Sequence, residues 1–300
     1  MTRRRLDAEL VRRGLVSSRE QGRAAIEGGR VSVSGVTATK AATQVDDAAP
    51  IELVAEPGSD FVSRGAHKLI GALDAFGLDV RDANALDAGA STGGFTQVLL
   101  QRGARHVIAV DVGYGQLAWS LRSDDRVTVL ERTNVRHLDA SRDALPYLAD
   151  LVVADLSFIS LTAVLPALVT VAAPAANLIL MVKPQFEVGK ERVGSGVVTS
   201  PDLRREAVAR VVTAAQAEKL AIFGVAASPL PGPKGNVEYF LWMGKVGGDA
   251  AEPSEHDGAM KREDRVSACL SAGWSAGLSA GLSADEIESA IARAVQEGPQ

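Results

Sequence analysis

The sequence is poor in the features that define several functional classes. Its one cysteine, Cys269, excludes an internal disulfide and a zinc–thiolate site, in keeping with a reducing compartment. Apolar runs such as Leu151–Ala154 and Asn177–Val182 break off after a few residues, far short of the roughly 20 that a membrane helix needs. The basic start at Arg3, Arg4 and Arg5 resembles the opening of a secretory signal. Asp7, Glu9, Arg12 and Arg13 interrupt any apolar stretch behind it, so a cytoplasmic protein is expected. No spacing of His, Cys and Asp suggests a metal site, and no metal is expected.

Charge is present but unevenly spread. Residues 1–45 carry nine basic and four acidic side chains, a net +5 in a chain whose total is -5. A basic module on an acidic body is the electrostatic footprint of a segment that touches phosphate. Arg4, Arg5, Arg19, Arg23 and Arg30 are the candidate RNA contacts; a solvated, arginine-rich helix face is the plainer alternative.

Periodicity divides the chain. Leu6, Leu10 and Val11 predict a helix ended by Gly14, and Ser17 or Ser18 caps a second one that Gly28-Gly29 stops. Val31 and Val33, the turn at Gly35, then Val45 and Ile51 predict small strands. Glu56–Asp60 is turn-rich and marks a boundary, giving a small α+β unit at 1–57 and a linker at 58–62. Ser63–Lys68 opens a helix with core face Leu69, Ile70, Leu73 and Phe76. Over 63–245 strands alternate with helices, the strands being Ala85–Ala88, His106–Asp111, Val127–Glu131, Leu151–Ala154, Leu178–Val182, Leu220–Ala226 and Val237–Met243. This predicts an α/β doubly wound sheet. The link Ser228–Gly235 is too short and stiff for a crossover helix, so the seventh strand runs antiparallel. Methyltransferases share that arrangement and dinucleotide-binding dehydrogenases generally do not.

Residues 246–300 form a tail with a net charge of -6, in which Ser271–Leu282 repeats a four-residue Ser-Ala-Gly unit. It reads as a flexible linker with a short amphipathic helix (Ile287, Ile291, Ala294, Val295) at its end. Activity is expected to survive truncation after Lys245.

The chemistry concentrates at strand ends. Asp87, Gly89, Ser91, Gly93, Gly94 and Phe95 make a small-residue turn from the first strand into a helix, where backbone and helix N-terminus can meet a ligand. Asp111, ending the second strand, is placed to hold ribose hydroxyls. NAD and S-adenosylmethionine both satisfy these features. Asp155 after the fourth strand and Lys183 after the fifth lie at the carboxyl edge, where open α/β sheets bind ligands. Singly, one caps a helix and the other lines a surface just as well; together they point to a reaction site.

The segments S-R-G-A-H-K-L (Ser63–Leu69), D-A-G-A-S-T-G-G-F-T (Asp87–Thr96), V-D-V-G-Y-G-Q-L (Val110–Leu117), T-N-V-R (Thr133–Arg136), D-L-S-F-I-S-L (Asp155–Leu161), V-K-P-Q-F-E (Val182–Glu187) and G-P-K-G-N-V-E-Y (Gly232–Tyr239) carry a resemblance. They resemble the TlyA family of FtsJ-like rRNA 2′-O-methyltransferases, some of which bear haemolysin names. Arg5-Leu6-Asp7 and Arg19–Arg23 through Gly29-Arg30-Val31 are similar to the S4-like RNA-binding domain of that family. The resemblance covers residues 3–245. It implies a Rossmann-like class I methyltransferase with S-adenosyl-L-methionine as cofactor, a Lys68–Asp155–Lys183–Glu238 catalytic tetrad, and Asn134 and Asp155 beside the cofactor. It implies rRNA within ribosomal subunits as partner, with cytidine 2′-hydroxyls as targets and no stable membrane association; Arg3–Arg5 favour action on both subunits. In this reading Lys183 is central, steadying the developing oxyanion or, with its pKa lowered, taking the proton. Asp155 fixes that lysine, and Lys68 with Glu238 orients the ribose. The rivals are a membrane-lytic protein, which lacks a span or lytic helix, a dehydrogenase, which lacks a catalytic His or Tyr-Lys pair, and a non-catalytic RNA binder. All four tetrad positions argue against the last.

Overall fold

The computed structural model describes residues 3–13, 15, 16, 18–46, 49–53, 61–141, 143, 145–194, 196–232, 234–245 and 281–299. Gly14, Ser17, the boundary Glu56–Asp60, and the tail from 246 to 280 with Cys269 lie outside them.

The amino-terminal unit has its own core. Helices α1 (Leu6–Arg12) and α2 (Arg19–Glu27) pack Leu6, Leu10, Ala25 and Ile26 against Val31 and Val45. Ser18 caps α2 by accepting the Gln21 N–H at 3.2 Å, and Gly29, at φ 68, turns the chain after it. Strands β2 (Val31–Val33), β3 (Val36–Thr37) and β5 (Ile51–Leu53) form one antiparallel sheet. A second sheet pairs β1 (Arg3–Arg5) with β4 (Gln44–Asp46). The β1 strand is not foreseen by periodicity, because three consecutive arginines have no apolar residue to set a period.

The larger unit is a seven-stranded sheet. Its strands are β6 (Asn84–Ala88), β7 (His106–Val110), β8 (Val127–Leu130), β9 (Ala149–Ala154), β10 (Ala172–Val182), β11 (Leu220–Ala227) and β12 (Tyr239–Lys245), in the order β11-β12-β10-β9-β6-β7-β8. From β10 to β8 every neighbouring pair is parallel, and β12 runs antiparallel to both β10 and β11. The last strand is therefore reversed, as expected. It begins at Tyr239 rather than Val237, which leaves Glu238 just ahead of the ladder.

Both sheet faces are covered, which is why the strands read as unbroken apolar runs. Leu178, Leu180 and Val182 face one core, and Ile179 and Met181 the other, following the two-residue period. The second core receives α3 (Gly65–Phe76) and α4 (Gly94–Gln101). The expected face of α3 differs in detail: Ile70 is only half-buried, while Ala66, Lys68 and Ala72 are buried. Phe61 and Val62, expected in the linker, pack on this core, and the Val62 N–H donates to Gln97 Oε1 at 2.7 Å.

The first core receives α6 (Leu165–Val171), α9 (Pro201–Ala217) and a carboxyl-terminal helix, α10 (Ala284–Glu297). The terminal helix is as expected; its docking corrects the expectation that the residues forming it are dispensable. Ser283 and Glu286 form a capping box, and Ile287, Ala290, Ile291, Ala294 and Val295 are buried. Gly281 and Leu282 are docked as well: Leu282 N–H donates to Ile222 O at 2.7 Å, and a Cβ on Gly281 would lie 3.0 Å from that same oxygen. Among the described residues no helix is long and apolar enough to cross a membrane.

Truncation after Lys245 is accordingly expected to remove part of the core rather than a dispensable tail. Ile291→Ala should lower unfolding free energy by about 2–5 kcal/mol, measured by urea denaturation. A loss of a few tenths of a kcal/mol would show that α10 is only loosely attached.

Candidate active site

The carboxyl edge of the sheet gathers the singled-out residues because parallel strands end together. At the end of β6 the chain turns through Gly89 (φ 86), whose N–H donates to Val110 O at 2.8 Å, and reaches Gly93 (φ 99), which caps α4. A Cβ on Gly89 would sit 2.8 Å from the Asp155 carbonyl oxygen. On Gly94 it would sit 3.0 Å from the Ala66 nitrogen. Small residues thus bring the β6 turn against both the β9 loop and the start of α3. Asp111 is held from two sides, accepting the Ser91 N–H at 2.8 Å and the Gly113 N–H at 2.7 Å. Asn134 caps a 3-10 turn (Val135–His137) through the Arg136 N–H, and its neighbour Thr133 donates its N–H to Asp111 O.

Two of the predicted cofactor side chains behave differently from the rest. Phe95 points into the core toward Phe240, with ring centroids 6.2 Å apart, so it supports the turn instead of facing a ligand. Asp87 is wholly buried; its Oδ2 accepts the Thr96 hydroxyl at 2.7 Å, and its Oδ1 has no hydrogen-bond partner among the described residues.

The tetrad residues assemble as two ion pairs. Lys68 sits on the buried side of α3 and its Nζ lies 2.6 Å from Glu238 Oε2, with Glu238 entirely out of solvent. The other Glu238 oxygen lies 2.5 Å from where a Gly232 Cβ would stand, so a side chain there would displace the carboxylate. Lys183, at the end of β10, places Nζ 2.5 Å from Asp155 Oδ1 and donates to Ser157 Oγ at 3.1 Å. Pairing offsets part of the cost of burying charged groups.

Several functional candidates escaped sequence reasoning. Phe158 is 92% exposed in the left-handed region (φ 65), with its ring 5.5 Å from that of Phe186. Tyr114 is also exposed, with the Arg132 guanidinium 4.3 Å from its ring centroid, and Arg132 too has positive φ. Large exposed aromatics and strained backbone at a strand-end cluster mark functional surface. Their only sequence signal is proximity to Asp111, Asp155 and Lys183. Among the described residues no three His, Cys, Asp or Glu side chains are grouped as a metal would require.

The RNA candidates divide. Arg5 and Arg19 both pair with the fully buried Asp7, at 3.0 and 2.9 Å, and the Arg5 hydrogen bonds hold that carboxyl well below its usual range. Arg12 and Arg13 likewise pair with buried Glu9. Arg4, Arg23 and Arg30 form no ion pair among the described residues.

Burial pushes the Asp87 carboxyl up to about 7, against the lowering by Thr96. A folded-state value above the unfolded one means that, between pH 4 and 7, the folded protein holds a proton that the unfolded chain has released. Stability should therefore fall across that window, by up to about 4 kcal/mol from this group, and level off above it. Asp87→Asn should flatten the dependence in ligand-free protein. Identical pH profiles of thermal unfolding would refute a buried, proton-retaining Asp87.

Comparison with known proteins agrees with this geometry. Residues 61–245 match the FtsJ-like methyltransferase family and residues 4–49 the S4 domain. The 16S/23S rRNA (cytidine-2′-O)-methyltransferase TlyA of Mycobacterium tuberculosis is 58% identical over 242 residues, 80% of this chain and 90% of that one. The 23S rRNA (cytidine-2′-O)-methyltransferase TlyA of Campylobacter jejuni is 37% identical over 186 residues, 61% of this chain and 70% of that one. A solved chain from Streptococcus thermophilus, described as a hemolysin, is 32% identical with a TM-score of 0.68, covering 99% of this chain and 97% of that one. The chain belongs to the TlyA family of FtsJ-like methyltransferases with an S4 domain at the amino-terminal end.

Proposed function

We propose that the protein transfers a methyl group from S-adenosyl-L-methionine to ribose 2′-hydroxyls of cytidines in ribosomal RNA, with ribosomal subunits in the cytoplasm as its substrate. The observation that carries this reading is the Lys183–Asp155 pair beside a glycine turn and a second lysine–carboxylate pair. The residues fit the cofactor. Gly89 and Gly93 take positive φ where a Cβ would strike Asp155 O and Leu121, so only a small-residue turn fits there, Asp111 is a fixed carboxylate for ribose hydroxyls, and Asp87 Oδ1 is a buried polar atom with no hydrogen-bond partner among the described residues. Bound there, the cofactor supplies an electrophilic methyl on a sulfonium centre.

The protein's own task is to prepare the oxygen. A ribose hydroxyl is a weak acid: its oxygen gains negative charge as the proton leaves to water, and that oxygen would then take the methyl group while sulfur keeps the electron pair of the broken carbon–sulfur bond. Lys183 Nζ, held by Asp155 and Ser157, presents an ammonium to that charge without reorganisation. Lys68 and Glu238, fixed on each other, orient the sugar. Phe158 and Tyr114 offer exposed rings on which unpaired bases stack, at about 1–3 kcal/mol per base. The relatives named above act on cytidine 2′-oxygens, one on both rRNAs and one on 23S rRNA. The basic strand Arg3–Arg5 supports the dual substrate.

The deciding assay is transfer of labelled methyl from S-adenosylmethionine to purified subunits that lack the modification. Wild type should label ribose 2′-oxygens, and Lys183→Ala should be slower by about 10²–10⁴-fold with cofactor affinity retained. Equal rates would overturn the role of the lysine, and label on bases would overturn the reaction class. For the S4 unit, Arg4→Glu with Arg23→Glu should weaken subunit binding and lower the salt slope by about 0.7–0.9 per lost phosphate contact. Cofactor affinity should stay unchanged. Arg19 is unsuited to this test because it also neutralises Asp7.

A further inference from the structure

The two partners of the central ion pair stand on separate loops. The β9–β10 ladder ends at the pair Ala154–Leu180, whereas Asp155 follows the end of β9 and Lys183 the end of β10. Beyond that pair each loop is tied to a different neighbour, the Asp155 N–H to Ala88 O on β6 at 3.1 Å and β10 to β12 as far as Val182–Tyr239, so no direct β9–β10 ladder bond sets one loop against the other.

Glu187 ties the two loops together. It closes a short helix, α7 (Pro184–Glu187), that starts directly after Lys183, and it is 3% exposed. Its Oε1 accepts the Leu161 N–H at 2.8 Å and its Oε2 accepts the Ser160 hydroxyl at 2.5 Å. Ser160 and Leu161 begin the 3-10 turn (Leu161–Ala163) that ends the loop carrying Asp155, Ser157 and Phe158. The carboxylate thus caps a turn on the opposite loop, satisfying donors that a helix start leaves without internal partners. Its own backbone is anchored from α9, where Arg210 donates to the Glu187 carbonyl oxygen at 3.1 Å. Between Asp155 and this clamp lies Phe158 in its left-handed conformation, which persists only where the surroundings impose it.

We infer that Glu187 is a positioning residue that locks the Asp155 loop to the Lys183 loop and thereby sets the geometry of the reacting ion pair. This rests on the reading of Lys183 and Asp155 as catalytic. A buried carboxylate is an expensive tie where an apolar contact would serve, unless direction matters; two hydrogen bonds fix position far more tightly than packing does.

The test measures single-turnover methyl transfer to unmodified subunits by Glu187→Ala, Glu187→Gln and Asp155→Asn, together with cofactor Kd. Glu187→Ala should slow transfer about 10–100-fold, the scale of a misplacement near 1 Å, with cofactor Kd within about twofold of wild type. Glu187→Gln keeps the acceptor for Leu161 and should recover most of the rate. In the Asp155→Asn background Glu187→Ala should add little further loss, because both act through one pair. Losses that multiply independently, or an unchanged rate in Glu187→Ala, would overturn the inference. Should Glu187→Ala not fold, Ser160→Ala removes one of the two hydrogen bonds and carries the same test. It is expected to be several-fold slower and equally non-additive with Asp155→Asn, and full activity would refute the clamp. Full activity of Asp155→Asn and Lys183→Ala would instead defeat the underlying reading.

Discussion

The reversal of β12 is the constraint on which the site depends. In an all-parallel sheet only the ends of strands reach the ligand edge, and the start of the last strand would lie at the far side. Running β12 antiparallel between β10 and β11 brings its beginning to the ends of its neighbours. Glu238, the residue ahead of Tyr239, thereby joins the edge that holds Asp155 and Lys183. Its carboxylate meets Lys68 from α3, the helix that directly precedes the first strand of the sheet in sequence. One inverted strand therefore closes a site whose residues span 170 positions between Lys68 and Glu238.

Neither lysine–carboxylate pair is an economical way to stabilise a fold. Removing both charges from water costs several kcal/mol per ion, and apolar replacements of similar volume are often as stable or more so. In the reaction we propose, their value is that a lysine held by one carboxylate is already oriented when charge develops on a substrate oxygen. The same logic runs through the surrounding loops. Asp111 is fixed by two backbone amides, Glu187 by an amide and a hydroxyl, and Asn236 bridges Val198 N–H and Gly196 O. Rigid polar ties at the mouth, above an apolar two-sided core, put precision where the reaction needs it.

The amino-terminal unit solves a related problem at smaller scale. Its core is small, and two buried carboxylates, Asp7 and Glu9, each gather two arginines around one short helix. Neutralisation inside the fold leaves guanidinium edges at the surface, since the side chains of Arg5, Arg12 and Arg19 remain about half exposed. A basic surface can thus be dense without flying apart. Arg4, Arg23 and Arg30 add charge with no internal partner among the described residues.

The sequence by itself determined the doubly wound class, the reversed last strand and the glycine turn, and its resemblance to the family named the four residues that the structure brings together as two ion pairs. Each is a local matter: strand length and apolar runs, a stiff Pro-Gly link, small residues after a strand, and motifs short enough to stand whole in the chain. It foresaw α10 and its apolar face but not the docking, because an amphipathic helix behind a repeat looks the same whether or not a sheet face awaits it. It named Phe95 as a cofactor contact and Arg19 as an RNA contact, because neither a core-facing ring nor an ion pair across twelve residues leaves a mark in local pattern. Only the tertiary structure decided which lysine meets which carboxylate, that Glu187 ties two loops, and that Phe158 stands strained in solvent. Those are distances between residues far apart in sequence, and they come from strand register and loop packing, which periodicity does not encode.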